Sequence, residues 1–361
     1  MAPGEWSRED AAQPGKIITM RLLVLGGSWF LGRTLVSDAL ARGWEVTAFS
    51  RGKSGQPPAG STHVIGDRRN DADLHRLAEL GTWDALIDTS AYEPVDVAQV
   101  THALADRVEQ YVLVSTVSAY SDWPTSPVDE SSPLWPSSPT YTDHSPELGH
   151  LTVGGQYGTL KAGCEAAATE GSRHCLIVRP GVILGPGEYV GRGLKLLERA
   201  ARGGRWLLPA PPEQPIQPID VRDVSAFLLD SIEARRDGVF NLVAPIGHAT
   251  YGDLIDICLE LTGRRTQPVW ADPQWLGERR VNQWTEMPLW RTPAGTWHVD
   301  GCRAEEAGLR CRPLQETLRD FKSALDRDGL IDHPRQADHG MSPDHEAELL
   351  ETWEAAQSST R

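Results

Sequence analysis

Along the chain, short apolar runs alternate with segments whose apolar residues recur at helical spacing. Residues 21–25 (RLLVL) form an apolar run that ends in glycine and is too short for a core helix, which predicts a buried parallel strand. From Phe30 the pattern changes: Leu31, Leu35, Ala39 and Leu40 share one helical face, and Gly43 stands where a helix would be C-capped. Similar apolar runs predict strands at 45–49, 62–65, 83–88, 110–120, 174–179 and 239–243, with helices at 95–108 and from 156 to 171. Strands alternating with helices in this way predict an α/β fold, a Rossmann-type doubly wound parallel sheet.

Beyond residue 250 the pattern becomes a smaller mixed C-terminal lobe. Helices are predicted at 251–262, 273–279 and 314–325, with a short strand at 269–270. Before it, 193–201 reads as a short basic-faced helix and 206–218 as a proline-rich crossing between lobes; 219–224 opens a helix whose charges read as caps and ion pairs. Trp275, Trp284, Trp290 and Trp297 crowd the lobe, either as packing or as an aromatic wall for a ring-shaped substrate. Residues 121–152, rich in Pro, Ser and Thr, form a long loop that either covers an active site or is irregular surface. After His333 an acidic tail contains one more capped helix that should dock through Leu349, Leu350 and Trp353.

Composition narrows the class. The 361 residues are 40% hydrophobic, enough for a substantial core, and a net charge of -15 should repel nucleic acid and anionic membranes. The five cysteines lack CxxC spacing, which favours reduced thiols and a cytoplasmic location; the 11 histidines show no ligand spacing, so no metal is expected. No apolar stretch approaches the length of a membrane span, and residues 1–19 read as a disordered leader.

The chemistry concentrates at strand ends. Gly26, Gly27 and Ser28 make a tight turn, and the amides of Trp29, Phe30, Leu31 and Gly32 open the following helix, which is how a backbone approaches a pyrophosphate. At the end of the second strand, where a carboxylate would receive the ribose hydroxyls of NAD, stands Ser50, followed by Arg51 and Lys53. A hydroxyl beside two cations suits a 2′-phosphate, so NADP(H) is the preferred cofactor and NAD(H) the alternative. Asp67 follows the third strand, placed to accept from an adenine amino group or to cap the next helix; Thr89 and Ser90 end the fourth strand over the same crevice, and Pro180 ends the sixth. The fifth strand ends in hydroxyls, among them Thr116 and Ser118. Tyr157 and Lys161 then share a helical face four residues apart, and an ammonium beside a phenol whose ordinary pKa is about 10 favours the phenolate.

In this order, LGGSWFLG, GDRRND, YVLVSTVSAY, YGTLK, RPGVILGPGE and PIQPIDVRDV resemble the extended short-chain dehydrogenase/reductase superfamily, in its epimerase/dehydratase-like branch, over residues 20 to 330. Among its members, an atypical bacterial subgroup and the plant chloroplast stem-loop-binding relatives share related features. The resemblance implies an NAD(P)-dependent oxidoreductase in which Tyr157 transfers the proton, Lys161 holds the nicotinamide ribose and lowers the tyrosine pKa, and Thr116 hydrogen-bonds the reacting oxygen, with Ser118 as the fallback. It also implies a dinucleotide-binding domain at 20–180 and 219–244, a substrate lobe at 181–218 and 245–332, and a tail at 333–361. Trp29 replaces the middle glycine of the family's GxxGxxG turn; the expectation is an indole turned outward as a lid or packing group, with the other arrangement closing the site.

The expected activity is NADPH-dependent reduction of a carbonyl or imine in a small biosynthetic metabolite. Nucleotide-sugar epimerisation is the alternative, and a non-catalytic nucleotide- or RNA-binding protein the reading from another class. Dehydration fits less well, because the family places acidic residues after the strand-five hydroxyl, where this chain has Val117 and Ser118. Two-helix homodimers are common in the superfamily.

Overall fold

The structure, a computed structural model, describes residues 19–359, so most of the expected leader lies outside the described residues. The first half alternates strand and helix: β1 (Arg21–Leu25), α1 (Phe30–Ala41), β2 (Glu45–Ser50), β3 (Thr62–Ile65), α2 (Asp71–Ala78), β4 (Trp83–Asp88), α3 (Pro94–Ala103), β5 (Val108–Val114), α4 (Val153–Gly171) and β6 (Cys175–Pro180). The second half runs β7 (Ile183–Leu184), α5 (Arg192–Arg202), β8 (Gly204–Pro209), β9 (Pro215–Ile216), β10 (Ile219–Asp220), α6 (Val221–Glu233), β11 (Gly238–Leu242), β12 (Ala249–Thr250) and α7 (Tyr251–Leu261). It ends with β13 (Thr266–Ala271), α8 (Pro273–Glu278), α9 (Cys302–Glu306), α10 (Leu314–Asp328) and α11 (Pro343–Ser359).

Seven strands form one parallel sheet in the order β11-β6-β5-β4-β1-β2-β3. This is a doubly wound sheet whose direction of winding reverses between β1 and β4, and ligands of such sheets bind in the crevice at the carboxyl ends of the strands beside that switch point. Its apolar runs are buried because helices cover both faces. Leu35, Val36 and Ala39 of α1 join Val224, Phe227 and Leu228 of α6 on one side; Leu74, Val97, Val100, Cys164 and Ala168 of α2, α3 and α4 pack the other.

The second lobe has its own core around a parallel pair, β8 and β13, packed by α5, α7, α10 and α11. Trp206, Leu207 and Leu208 are buried there, so residues 204–209 are a strand and not the proline-rich crossing expected from 206–218. The partner strand lies about sixty residues downstream, which local composition cannot reveal. Two other elements are shorter than expected. α3 ends at Ala103, because the chain turns through Leu104 to begin β5 at Val108, and β5 ends at Val114, where Thr116 caps a single 3-10 turn at Val117–Ala119. The charges opening α6 are caps and ion pairs: Asp220 accepts from the Arg222 amide at 2.8 Å, and Arg312 pairs with Asp223. Among the described residues no helix is long and apolar enough to cross a membrane.

Candidate active site

A cleft of about 640 Å³ opens at the carboxyl ends of β1, β2, β4, β5 and β6. Its floor is the glycine turn. Gly26 has a φ of +90°, which glycine adopts without strain, and a Cβ there would lie 2.6 Å from the Thr89 hydroxyl. Gly32 is packed harder still: a Cβ would lie 2.1 Å from the Gly26 carbonyl oxygen, so only glycine lets α1 start this close to the turn. Gly32→Ala should therefore push the helix off the turn, costing about 1–3 kcal/mol and weakening dinucleotide binding. Thermal unfolding and a nucleotide titration together would read both effects.

Gly27 was expected to line the pyrophosphate path; it faces away instead. Its missing Cβ would lie 3.0 Å from Ala48 and Val36, so its smallness serves helix-to-strand packing behind the turn. Trp29 is the extended N-cap residue of α1, and its ring packs on Tyr189 and His333, with centroids 5.0 and 5.1 Å away. Phe30, which follows it, has a φ of +36°, a conformation seldom taken by a bulky residue. Phe30, Leu31 and Gly32 reach the cleft with Trp29, so the helix N-terminus still faces it. The turn therefore fits a dinucleotide despite the lost glycine.

At the adenosine end, the Ser50 hydroxyl shares a hydrogen bond with His63 Nε2 (3.0 Å) and accepts from the Gly52 amide (3.3 Å). Arg51 and Lys53 are exposed, line the cleft and have no hydrogen-bond or ion-pair partner among the described residues. Asp67 lines the cleft and accepts from the Arg69 amide, whereas the cap of α2 is Asn70. Thr89 donates to the Leu25 carbonyl oxygen at 2.8 Å, tying β4 to β1 across the switch point, and Ser90 stands beside it in the cleft wall.

Behind this wall lies a charge pair that sequence reading missed. Arg68 grips Asp88 through two hydrogen bonds of 2.9 and 2.7 Å, and Tyr111 donates to the same carboxylate at 2.7 Å. Burial alone would raise the Asp88 pKa, but Arg68 and Tyr111 hold it below the usual carboxylate range. The pair fixes the end of β4, from which Thr89 and Ser90 extend.

At the other end, Thr116, Tyr157, Lys161 and Pro180 converge on the cleft. Tyr157 is 39% exposed, and the Thr116 hydroxyl faces its phenol. Ser118 lies outside the cleft lining: its amide donates to Thr116 Oγ1 at 3.1 Å, which closes the 3-10 turn and orients the threonine. Lys161 is held by the main chain beneath the cleft. Its Nζ is buried and donates to the carbonyls of Ala91 and Val114, both at 2.8 Å, so two of its three donors are committed to the ends of the sheet. Nor is the phenolate favoured, since desolvation in the cleft pushes the Tyr157 pKa up to about 12.

Several lining residues come from segments where the sequence showed no catalytic pattern. Glu188 and Tyr189 arrive with the loop between β7 and α5, Arg192 opens α5, and His333 and Arg335 come with the chain between α10 and α11. Arg192 lies over Trp284 (5.2 Å), as does Arg291 (4.3 Å), and among the described residues neither has a carboxylate within 4 Å. Burial lowers the Arg192 pKa and raises that of Glu188, which faces it without a salt bridge. Gly185, Gly187 and Gly191, each with positive φ, mark a tightly turned loop here. Among the described residues no group of three or more His, Cys, Asp or Glu could hold a metal ion.

Comparison with known proteins agrees with this arrangement. Residues 22–142 match the model of the NAD dependent epimerase/dehydratase family. No curated protein matches the chain in sequence. The WbmH enzyme of Bordetella bronchiseptica, solved with NAD+, superposes with a TM-score of 0.66 at 16% identity over 86% of this chain and 100% of its own. The UDP-glucose 4-epimerase of Thermotoga maritima, solved with UDP-glucose, gives 0.62 at 19% over 86% and 99%. The UDP-N-acetylglucosamine 4-epimerase of Bacillus cereus gives 0.62 at 16% over 88% and 99%. Residues 22–142 thus match the model of that family, and the fold over most of the chain is the one shared by these epimerases.

Proposed function

We propose that this protein is an NADP(H)-dependent oxidoreductase that reduces a carbonyl group of a small anionic substrate, with Tyr157 as proton donor. The observation that carries this reading is the meeting, in one cleft, of the dinucleotide turn with the Thr116 hydroxyl and the Tyr157 phenol. When bound, the dinucleotide supplies the hydride. Thr116 donates a hydrogen bond to the substrate oxygen, and the Tyr157 O–H bond breaks as that oxygen takes the proton. A phenol held protonated by desolvation suits donation better than abstraction. Lys161, fastened to the carbonyls of Ala91 and Val114, anchors the helix that presents Tyr157 one turn earlier.

The cofactor preference rests on Arg51 and Lys53, which are unpaired at the lip of the cleft beside Ser50. The substrate's anionic group is inferred from Arg192, a cation of the cleft wall with no acidic partner in contact among the described residues, which would draw the phosphates of a nucleotide sugar; Arg291 lies nearby over the same Trp284 ring but outside the cleft lining. A second reading, epimerisation through a transient ketone, is favoured by the similarity to UDP-sugar epimerases. The two differ in outcome: reduction consumes NADPH in proportion to substrate, and epimerisation interconverts sugars without net consumption.

The first test is a titration with NADPH and NADH, read by energy transfer from the 13 tryptophans to the reduced nicotinamide. We expect NADPH to bind more tightly and Arg51→Ala to erase about tenfold of that preference, the low end of a charge-assisted hydrogen bond because the side chain is exposed. Equal binding of both nucleotides by the unsubstituted protein would remove the NADP(H) assignment.

A further inference from the structure

Residues 331–341 cross from α10 to α11 as a strap over the cleft. It is fastened at several points. His333 caps its central 3-10 turn, Pro334–Asp338, by accepting from the Arg335 amide at 3.2 Å, and its ring meets Tyr189 and Trp29 at 4.8 and 5.1 Å. Gln336, buried, donates to the carbonyls of Tyr189 (3.2 Å) and Ile331 (2.6 Å), and lies so close to Gly191 that a Cβ there would sit 3.1 Å from the Gln336 Cα. The Gly340 amide donates to the Thr285 carbonyl at 2.8 Å. The strap is thus seated on the first turn of the nucleotide-binding half and on the second lobe together, and the residue that receives it on α1 is Trp29.

This seating brings Arg335 into the same cleft wall as Tyr157, Tyr92 and Arg192. Among the described residues its guanidinium has no hydrogen bond or ion pair, whereas Lys161, the cation expected beside the phenol, is turned to two main-chain carbonyls. Around Tyr157 the charged and titratable groups are Arg335 from the strap, Arg192 from α5, Tyr189 from the β7–α5 loop, Tyr92 after β4, and Cys164 on α4 itself. Arg192 faces Glu188 without a salt bridge, and among the described residues no carboxylate pairs with Arg335. Of these groups, Arg335 is the one whose charge most favours the ionised phenol.

We propose that Arg335, carried on the C-terminal strap and seated by Trp29, Tyr189 and His333, is a positioning residue for the reaction: its charge stabilises the phenolate that Tyr157 becomes when it gives up its proton. The proposal rests on the reading of Tyr157 as proton donor. It also assigns Trp29 a task, since an indole in place of a glycine is what the strap docks against.

The test reads Tyr157 directly, without substrate. The full-length protein is labelled with 3-fluorotyrosine, whose phenol ionises at lower pH than that of tyrosine, and its fluorine NMR spectrum is followed through an alkaline titration. Tyr157→Phe identifies the resonance among seven tyrosines. Arg335→Met should move the Tyr157 ionisation upward by about one pH unit, Arg335→Lys should restore most of it, and Trp29→Gly should move it in the same direction as Arg335→Met. A titration unchanged in Arg335→Met would overturn the proposal. So would an upward shift that lysine fails to recover, since charge would then not be its cause, and an unmoved Trp29→Gly would remove the aromatic seat. Turnover retained by Tyr157→Phe would overturn the proton-donor reading separately, leaving the titration to decide whether Arg335 acts on the phenol.

Discussion

Tyr157→Phe should abolish most turnover and leave the dinucleotide in place. The substitution removes one oxygen from a side chain at the cleft surface, so the fold has little reason to respond. A positioned general acid contributes about 10²–10⁴-fold, and kcat/KM for the carbonyl substrate should fall by that factor while the NADPH titration overlies that of the unsubstituted protein. Because the phenol is held protonated, the loss should be seen across neutral pH with little dependence on it. A variant that keeps its rate would move the chemistry off Tyr157. Loss of NADPH binding together with rate would instead make the phenol part of the nucleotide site.

Glu165→Ala should be the most damaging single change to stability. Glu165 on α4 and Arg179 on β6 are each 4% exposed at the side chain and form a fork of hydrogen bonds at 2.9, 3.2 and 2.6 Å. Ser115 donates to the same carboxylate at 2.5 Å, and Arg179 lies 4.6 Å over the Tyr120 ring, whose hydroxyl donates to Asn241. Removing the carboxylate strands a buried guanidinium. Breaking one side of such a pair costs about 3–5 kcal/mol, measurable as a fall in the urea midpoint. Thr116 follows Ser115 directly, so surviving protein should also lose activity. A double replacement by Leu and Met at 165 and 179 should recover much of the stability, because the penalty comes from the unpaired charge; failure to recover would mean that the network specifies the packing between α4 and the sheet.

How much of this was legible beforehand follows from where the determining contacts lie. The first βα unit could be read almost to the residue, because an apolar run, a glycine turn and a helical stripe are local patterns. The Tyr157-Lys161 pair was legible for the same reason: spacing on a helix fixes a shared face. Spacing does not say where a side chain ends, however. Lys161 shares the face with Tyr157, yet its ammonium turns to Ala91 and Val114, groups about fifty to seventy residues away in sequence. Gly27 and Gly32 look alike in the sequence; only packing shows that Gly27 backs onto Val36 and Ala48 while Gly32 sits against the turn carbonyl. Ser118 and Thr116 are both strand-end hydroxyl residues, and the 3-10 turn decides that the Thr116 side chain caps it by accepting from the Ser118 amide.

By itself, then, the sequence determined the alternation of strands and helices in the large sheet, the glycine turn at the switch point and the residue types available to the cleft, since each rests on short-range periodicity and on conformations that few residues can take. Tertiary structure alone decided the rest. It paired β8 with β13 across about sixty residues, buried Arg68 against Asp88, and folded residues 331–341 back over the cleft so that His333 meets Trp29 and Arg335 lines the same cleft as Tyr157. These are long-range contacts between segments with no distinctive local pattern, and their partners are chosen by burial and charge in the assembled fold.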